Sequence, residues 1–399
     1  MKEKITSLGI LLFLLVAEGI LTPLHGADNL KASLITCWPG KEVYELYGHT
    51  ALRIQGTDDK GVPFDSVWNY GVFNYSEPNF VGRFVKGELN YKVVGYPFAW
   101  FMPEYQYSGR RVEEQVLNLS QPQIQALLKA LQTNALPQNA TYLYDYVKDN
   151  CSTRVWDKIE AASGGITLPH QQLYPTYREA MRAYHHHYPW YSLGIDVALA
   201  YPVDTLINDH DQLFLPIVLH DKLAGARLSN GAPAVADTNV LTRGLPDATL
   251  PPTPWYASPL FFGWAILALA IIYCLLCRRR QRLMNWLEAL FFGIAGVAGC
   301  IVAYLVFISI HRAASPNLLL VWLNPLDLLV PALVWSRRTR PIAVAYMIAQ
   351  AIAIIFVAIF WPFQTQSGNA VFIPLLLTDL LLAFSYAALY FRNRQFIKQ

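Results

Sequence analysis

Two residues of this chain sit in settings that suit covalent catalysis. The first is Cys151, in the run Asp149-Asn150-Cys151-Ser152-Thr153-Arg154-Val155-Trp156. The apolar spacing beyond it predicts a helix that starts at this cysteine, with Asp149 or Asn150 as its cap. A helix N-terminus favours thiolate through its dipole and its unused N–H groups. The same N–H groups can hold an oxyanion. The second is His49, in Tyr47-Gly48-His49-Thr50-Ala51-Leu52-Arg53, where a glycine lets the backbone approach closely as an alternating strand begins. Together they offer a nucleophile and a base. Spacing alone does not pair them, and a buried or disulfide-bonded cysteine is the competing reading. A working pair needs a third group to orient the imidazole. Asn69, in Val67-Trp68-Asn69-Tyr70-Gly71, and Asp65 are the candidates.

Cys37 is the other cysteine outside the apolar C-terminal part, so a Cys37–Cys151 disulfide stands beside the reactive thiol as an expectation for an oxidising compartment. Cys274, Cys277 and Cys300 read as apolar packing residues. No Cys/His spacing matches a metal site, and His185-His186-His187 reads as exposed. Arg110, Arg111 and Arg154 are bidentate donors suited to phosphate, with an ion pair to Asp157 or Asp149 as the alternative for Arg154. Tyr47 is placed to donate a hydrogen bond near His49, with core packing as its alternative.

The elements that must position these residues follow from composition. Of 399 residues, 54% are hydrophobic and only 15% charged, against about 25% charged in soluble domains. Such a chain is not disordered, collagen-like or coiled coil. A net charge of +3 without a basic, aromatic-interleaved patch gives no case for nucleic acid. The apolar residues are segregated. Met1 to Ala27 reads as a secretory signal cut near Gly26. Residues 28–254 have the composition of an exported soluble domain, with strands around Ala51–Ile54 and Tyr91–Val94. A helix capped by Ser120 carries the stripe Ile124, Leu127, Leu128, Leu131, and Ser229–Pro254 reads as a linker. Residues 255–399 hold five apolar runs, Ser258–Cys277, Trp286–Ile310, Leu318–Trp335, Ile342–Trp361 and Val371–Phe391, each near the length that spans a bilayer. Arginines cluster after the first, third and fifth runs, which puts the C-terminus inside and the soluble domain outside. Glu288, Asn324, Asp327, Gln350 and Asp379 are costly in hydrocarbon and so are functional candidates. His311-Arg312 is placed to meet an anionic headgroup.

The runs Leu34-Ile35-Thr36-Cys37-Trp38-Pro39-Gly40, Tyr47–Arg53, Trp68-Asn69-Tyr70-Gly71, Gly109-Arg110-Arg111-Val112, Asp149–Arg154 and Trp322-Leu323-Asn324-Pro325-Leu326 resemble the Lnb-type lipoprotein N-acyltransferase family. The resemblance implies an α+β fold: a circularly permuted papain-like (NlpC-type) periplasmic domain, similar to lecithin–retinol acyltransferase, followed by a five-span helical domain. It implies Cys151 as nucleophile, His49 as base and Asn69, or in reserve Asp65, as orienting residue. Asn150, Ser152, Arg154, Tyr47 and Arg110 are expected to support the site or its substrate, with His311 and Asp327 from the membrane part. The implied partners are a lipoprotein substrate and a phospholipid or lipoprotein glyceryl ester as acyl donor, with no cofactor and no metal. The implied location is the inner membrane, catalytic domain in the periplasm. A papain-like hydrolase of cell-wall peptides or lipid esters uses the same dyad and is the alternative, and a disulfide-locked scaffold is the non-enzymatic one.

Overall fold

The computed structural model describes residues 28–73 and 78–398, so the expected signal segment lies outside the described residues. The described chain divides into two compact units, one formed by residues 28–84, 88–184 and 206–251, the other by 85–87, 185–205 and 252–398.

The first unit is built on a seven-stranded sheet: β1 (Asp28–Cys37), β2 (His49–Thr57), β3 (Pro63–Val72), β4 (Asn90–Pro97), β5 (Val112–Leu117), β6 (Thr141–Leu143) and β7 (Val235–Thr242). Their order is β6-β4-β3-β2-β1-β5-β7 and every pairing is antiparallel. Both faces of the central strands are covered, which is why β1 is apolar on both sides. Leu34, Leu52 and Trp68 pack on one face with the helices α2 (Gln121–Asn134) and α3 (Cys151–Ser163). Ile35, Cys37, Ala51 and Val67 pack on the other against α1 (Phe98–Tyr107).

The helical stripe Ile124, Leu127, Leu128 and Leu131 is buried, and Ser120 and Gln123 close a capping box before it. In α3 the stripe is Val155, Trp156 and Ile159, all almost wholly buried. Each contributes about 2 kcal/mol of transfer free energy. The helix stops at Gly164, whose φ of 72° is the left-handed cap conformation. The stretch expected to be a linker instead supplies β7, which closes the sheet edge beside β5. Its Ala, Asp, Thr and Asn residues hide the strand because an edge strand buries little and shows no clean alternation. His185 is buried rather than exposed, its ring set edge-on to Tyr191 at 5.0 Å in the second unit.

The second unit contains four helices long and apolar enough to cross a bilayer, α4 (Pro259–Arg280), α5 (Trp286–Phe307), α6 (Arg340–Phe360) and α7 (Phe372–Lys398). Of the five expected runs, four form such continuous helices among the described residues. The third run breaks into short turns, Leu318–Val321, Pro325–Leu329 and Val330–Leu333. Asn317 and Asn324 each cap a new turn, and Pro325 and Pro331 lack the N–H groups a continuous helix needs. The broken segment packs tightly on α5. A Cβ at Gly299 would stand 2.6 Å from the Leu323 oxygen, and one at Gly296 2.5 Å from the Leu328 nitrogen.

Candidate active site

Cys151 is the first residue of α3, and the helix start is held rigidly. The Asn150 side-chain oxygen accepts from the Ser152 and Thr153 N–H groups at 2.8 and 3.0 Å, while the Asn150 N–H donates to the Thr153 hydroxyl at 2.9 Å. The cap takes those two N–H groups and leaves that of Cys151 outside it. The Asn150 amide also donates to the carbonyls of Tyr146 and Phe214, and the Ser152 hydroxyl to that of Leu213.

His49 opens β2, opposite Cys37 of β1. Gly48 precedes it with φ of 78°, and a Cβ there would meet the Cys37 carbonyl oxygen at 2.5 Å. Only glycine lets the chain turn this closely into the strand. The His49 Nε2 lies 2.6 Å from the Asn69 Oδ1, and the Asn69 amide donates to the Tyr96 hydroxyl at 2.9 Å. With the Asn69 oxygen facing it, Nε2 is the nitrogen that donates and Nδ1 is left for the thiol. β3 is irregular just beyond Asn69, where the pairing with β4 shifts register around Gly71 (φ 88°). Bulges of this kind re-aim side chains.

The electrostatics are those of a coupled pair. Burial pushes the Cys151 thiol up, but the charge and hydrogen bond of His49, joined by the backbone and hydroxyl of Thr50, bring it below the ordinary thiol value. Burial pushes the His49 imidazole down, and the Cys151 charge and hydrogen bond together with Asn69 bring it above the ordinary value. Each group favours the charged form of the other. Cys37 and Cys151 are free thiols, so of the two readings left open the bridge between them is not formed.

A family model described as the Lnb N-terminal periplasmic domain matches residues 25–183, and one described as the Lnb transmembrane domain matches residues 252–394. The chain belongs to the Lnb-type lipoprotein N-acyltransferase family. No curated protein and no solved structure matches it. As an Lnb-type chain it is a multi-pass membrane protein with a periplasmic domain, of a family of lipoprotein-processing enzymes. Residues 206–251, outside both Lnb matches, lie in the first unit and supply the Leu213 and Phe214 carbonyls that hold the start of α3.

Asn69 reaches His49, whereas Asp65 stands opposite Gln55, four positions away along β3, and gives both carboxylate oxygens to Arg53 at 2.8 and 2.5 Å. The expected supporting residues are mostly committed to the fold. Asn150 and Ser152 are buried and spend their polar atoms on the helix start. Arg154 makes a two-point ion pair with Asp149 at 2.5 and 2.7 Å, beneath which lies the Tyr142 ring. Arg110 is 3% exposed, donating to Glu45 at 3.0 Å and to the Trp38 carbonyl at 2.8 Å, so it does not present its guanidinium to a phosphate. Its partners lie 65 and 72 positions away, so a sequence read by composition gives no such warning. Tyr47 packs edge-on to Tyr146 and against Tyr184.

His311 and Asp327 belong to the second unit. Asp327 is wholly buried and accepts from the Tyr346 hydroxyl at 2.8 Å and the Gln350 amide at 3.2 Å, bonds that tie the broken segment to α6. Thr50 and Tyr96 are site residues that the sequence reasoning missed. Thr50 carries a weak signal, since it follows His49 and its hydroxyl donates to the Cys151 carbonyl at 3.1 Å. Tyr96 carries none, because it is brought to Asn69 by the pairing of β3 with β4.

Proposed function

We propose that this chain is a lipoprotein N-acyltransferase whose periplasmic domain, of permuted papain-like fold, carries a Cys151–His49–Asn69 constellation. The observation that carries the reading is the pairing of a helix-N-terminal thiol with an imidazole whose far nitrogen is fixed by an asparagine. The Cys151 thiolate attacks the carbonyl carbon of a glycerolipid ester. The C–S bond forms and the carbonyl electrons move onto oxygen. Collapse of this intermediate breaks the C–O bond, and the departing glyceryl oxygen takes the proton from the His49 imidazolium. The acyl chain is then held as a thioester.

In the second half the α-amine of a diacylglyceryl-cysteine lipoprotein attacks the thioester. Neutral His49 takes the amine proton, the C–N bond forms and the Cys151 thiolate leaves, which restores the starting pair. Asn69 holds the imidazole in one tautomer throughout, and the Cys151 N–H, outside the helix cap, faces the developing oxyanion. The acyl donor is a phospholipid or a lipoprotein glyceryl ester, which a membrane-embedded enzyme meets where it lives. The Arg clusters after the first, third and fifth apolar runs support an inner-membrane location with the C-terminus in the cytoplasm.

The test is mass spectrometry of a lipoprotein N-terminus from cells carrying the wild-type or the Cys151→Ala chain at equal levels. N-acylated lipoprotein with the wild type and only a free α-amine with the variant is the expected result. N-acylation by the variant sinks the reading. Release of free fatty acid with no amine acceptor, and no N-acylated product, makes the chain a hydrolase instead.

A further inference from the structure

We propose that the Tyr142 hydroxyl is the side-chain half of the oxyanion hole at Cys151, which makes Tyr142 a catalytic residue of acyl transfer. The proposal rests on the reading of Cys151 as nucleophile. Tyr142 is the middle residue of β6, between exposed Thr141 and Leu143, and points into the core of the first unit at 8% exposure. The Arg154 guanidinium lies 3.7 Å from the centre of its ring, and the Tyr70 ring 6.5 Å away, so the side chain is clamped. Among the described residues no acceptor takes the Tyr142 hydroxyl proton, while the Gly71 backbone bonds to the hydroxyl oxygen. Buried hydroxyls find acceptors in the great majority of cases, so an exception calls for an explanation.

The explanation lies at Gly71. A Cβ built there would stand 3.8 Å from the Cys151 Cβ and 4.0 Å from the Tyr142 hydroxyl oxygen, with nothing else within 4 Å. Cys151 and the Tyr142 hydroxyl therefore border one space the size of a methyl group, closed to solvent at rest and left unfilled by the absent side chain, and φ of 88° reserves the position for glycine. Burial above all, with the Cys151 charge adding to it, pushes the phenol well above its ordinary value, so it stays protonated as a donor. When the thiolate adds to an ester carbonyl, the C–S bond forms and the carbonyl π electrons become a lone pair on oxygen. An acyl group in the space over Gly71 presents that oxygen to the Tyr142 O–H and the Cys151 N–H. The phenol donates a hydrogen bond and keeps its proton. When the intermediate collapses the same lone pair re-forms the carbonyl. A donor with no partner at rest gains one only in the transition state, which is the condition for accelerating the step.

The test compares two reactions of the purified full-length protein in detergent. Formation of the Cys151 thioester from a p-nitrophenyl acyl ester passes through an oxyanion. Alkylation of Cys151 by iodoacetamide displaces iodide from a saturated carbon and does not. Tyr142→Phe is expected to slow acylation about 100-fold while leaving the rate and pH profile of alkylation as in the wild type. The intact alkylation profile also reports that the variant is folded around its thiol. Unchanged acylation overturns the proposal, and so does an equal fall in both reactions, which marks Tyr142 as structural. A Cys151→Ala protein that still transfers acyl chains overturns the nucleophile reading and the proposal with it. An inactive Cys151→Ala beside a fully active Tyr142→Phe overturns the proposal alone.

Discussion

Cys37 and Cys151 flank the same histidine and have opposite acid–base character. Cys37 ends β1 directly across from His49, is wholly buried and packs against the α1 side of the sheet. Burial pushes its thiol up to about 12, and the nearby Arg110 charge and Tyr105 hydrogen bond offset only part of that. Cys151 feels burial in the same direction, yet its thiol lies below the ordinary value, because His49 and Thr50 bond to it. Being next to a histidine is therefore not what activates a cysteine. The imidazole has two nitrogens, and Asn69 holds one so that the other serves Cys151. Only Cys151 begins a helix, with its own N–H outside the Asn150 cap. A thiolate needs both a cation held in place and donors that cost nothing to aim.

Exchanging the roles of the two cysteines is the sharpest way to break this contrast. Cys151→Ala is expected to reduce acyl transfer by about 10⁴-fold or more, the scale of losing a nucleophile, with the residual rate read from N-terminal acylation of a lipoprotein. Asn69→Ala leaves the nucleophile and frees the imidazole. The Asn69 bond raises the His49 value, so its loss lowers it. Activity depends on thiolate and imidazolium together and is lost as pH rises through the imidazole value. The alkaline limb of kcat/KM is therefore expected to move to lower pH, with about a tenfold fall at the optimum. Thr50→Val acts on the other limb. Thr50 lowers the thiol value, so removing its hydroxyl raises it, and the acid limb moves to higher pH with a loss of about threefold. If both variants shift the same limb, the division of labour between Asn69 and Thr50 is wrong.

How much of this was readable beforehand depended on whether a residue's role is local. The cap at Asn150, the helix at Cys151 and the stripe of α2 follow from neighbours within four positions, and all three stand where the spacing put them. Arg110 and Ser152 looked available because their partners, Glu45 and Leu213, lie 65 and 61 positions away. Asn69 stood out only beside Asp65, and the register of β2 with β3 separates them, setting Asn69 opposite Ala51, two positions from His49, and Asp65 opposite Gln55. The third apolar run had the length and composition of a span. It fails as one continuous helix because Asn324, Pro325 and Pro331 interrupt it, and the glycines of α5 accept the irregular backbone that results.

The smallest effect tests the other half of the comparison. Cys37→Ala removes the cysteine nearest His49 along the sheet and leaves every bond to Cys151 in place. A thiol that stays protonated across the physiological range takes no part in a thiolate reaction. Turnover is expected within twofold of the wild type and the pH limbs where they were. The cost falls on stability, about 1 kcal/mol for the sulfur volume lost from a packed face, visible as a lower midpoint in thermal unfolding of the purified protein. Iodoacetamide at neutral pH gives the companion measurement, with the Cys151 peptide labelled and the Cys37 peptide not. A Cys37→Ala protein that folds well but loses most of its activity makes Cys37 part of the chemistry. Reactivity would then belong to the pair that flanks His49 rather than to the helix terminus.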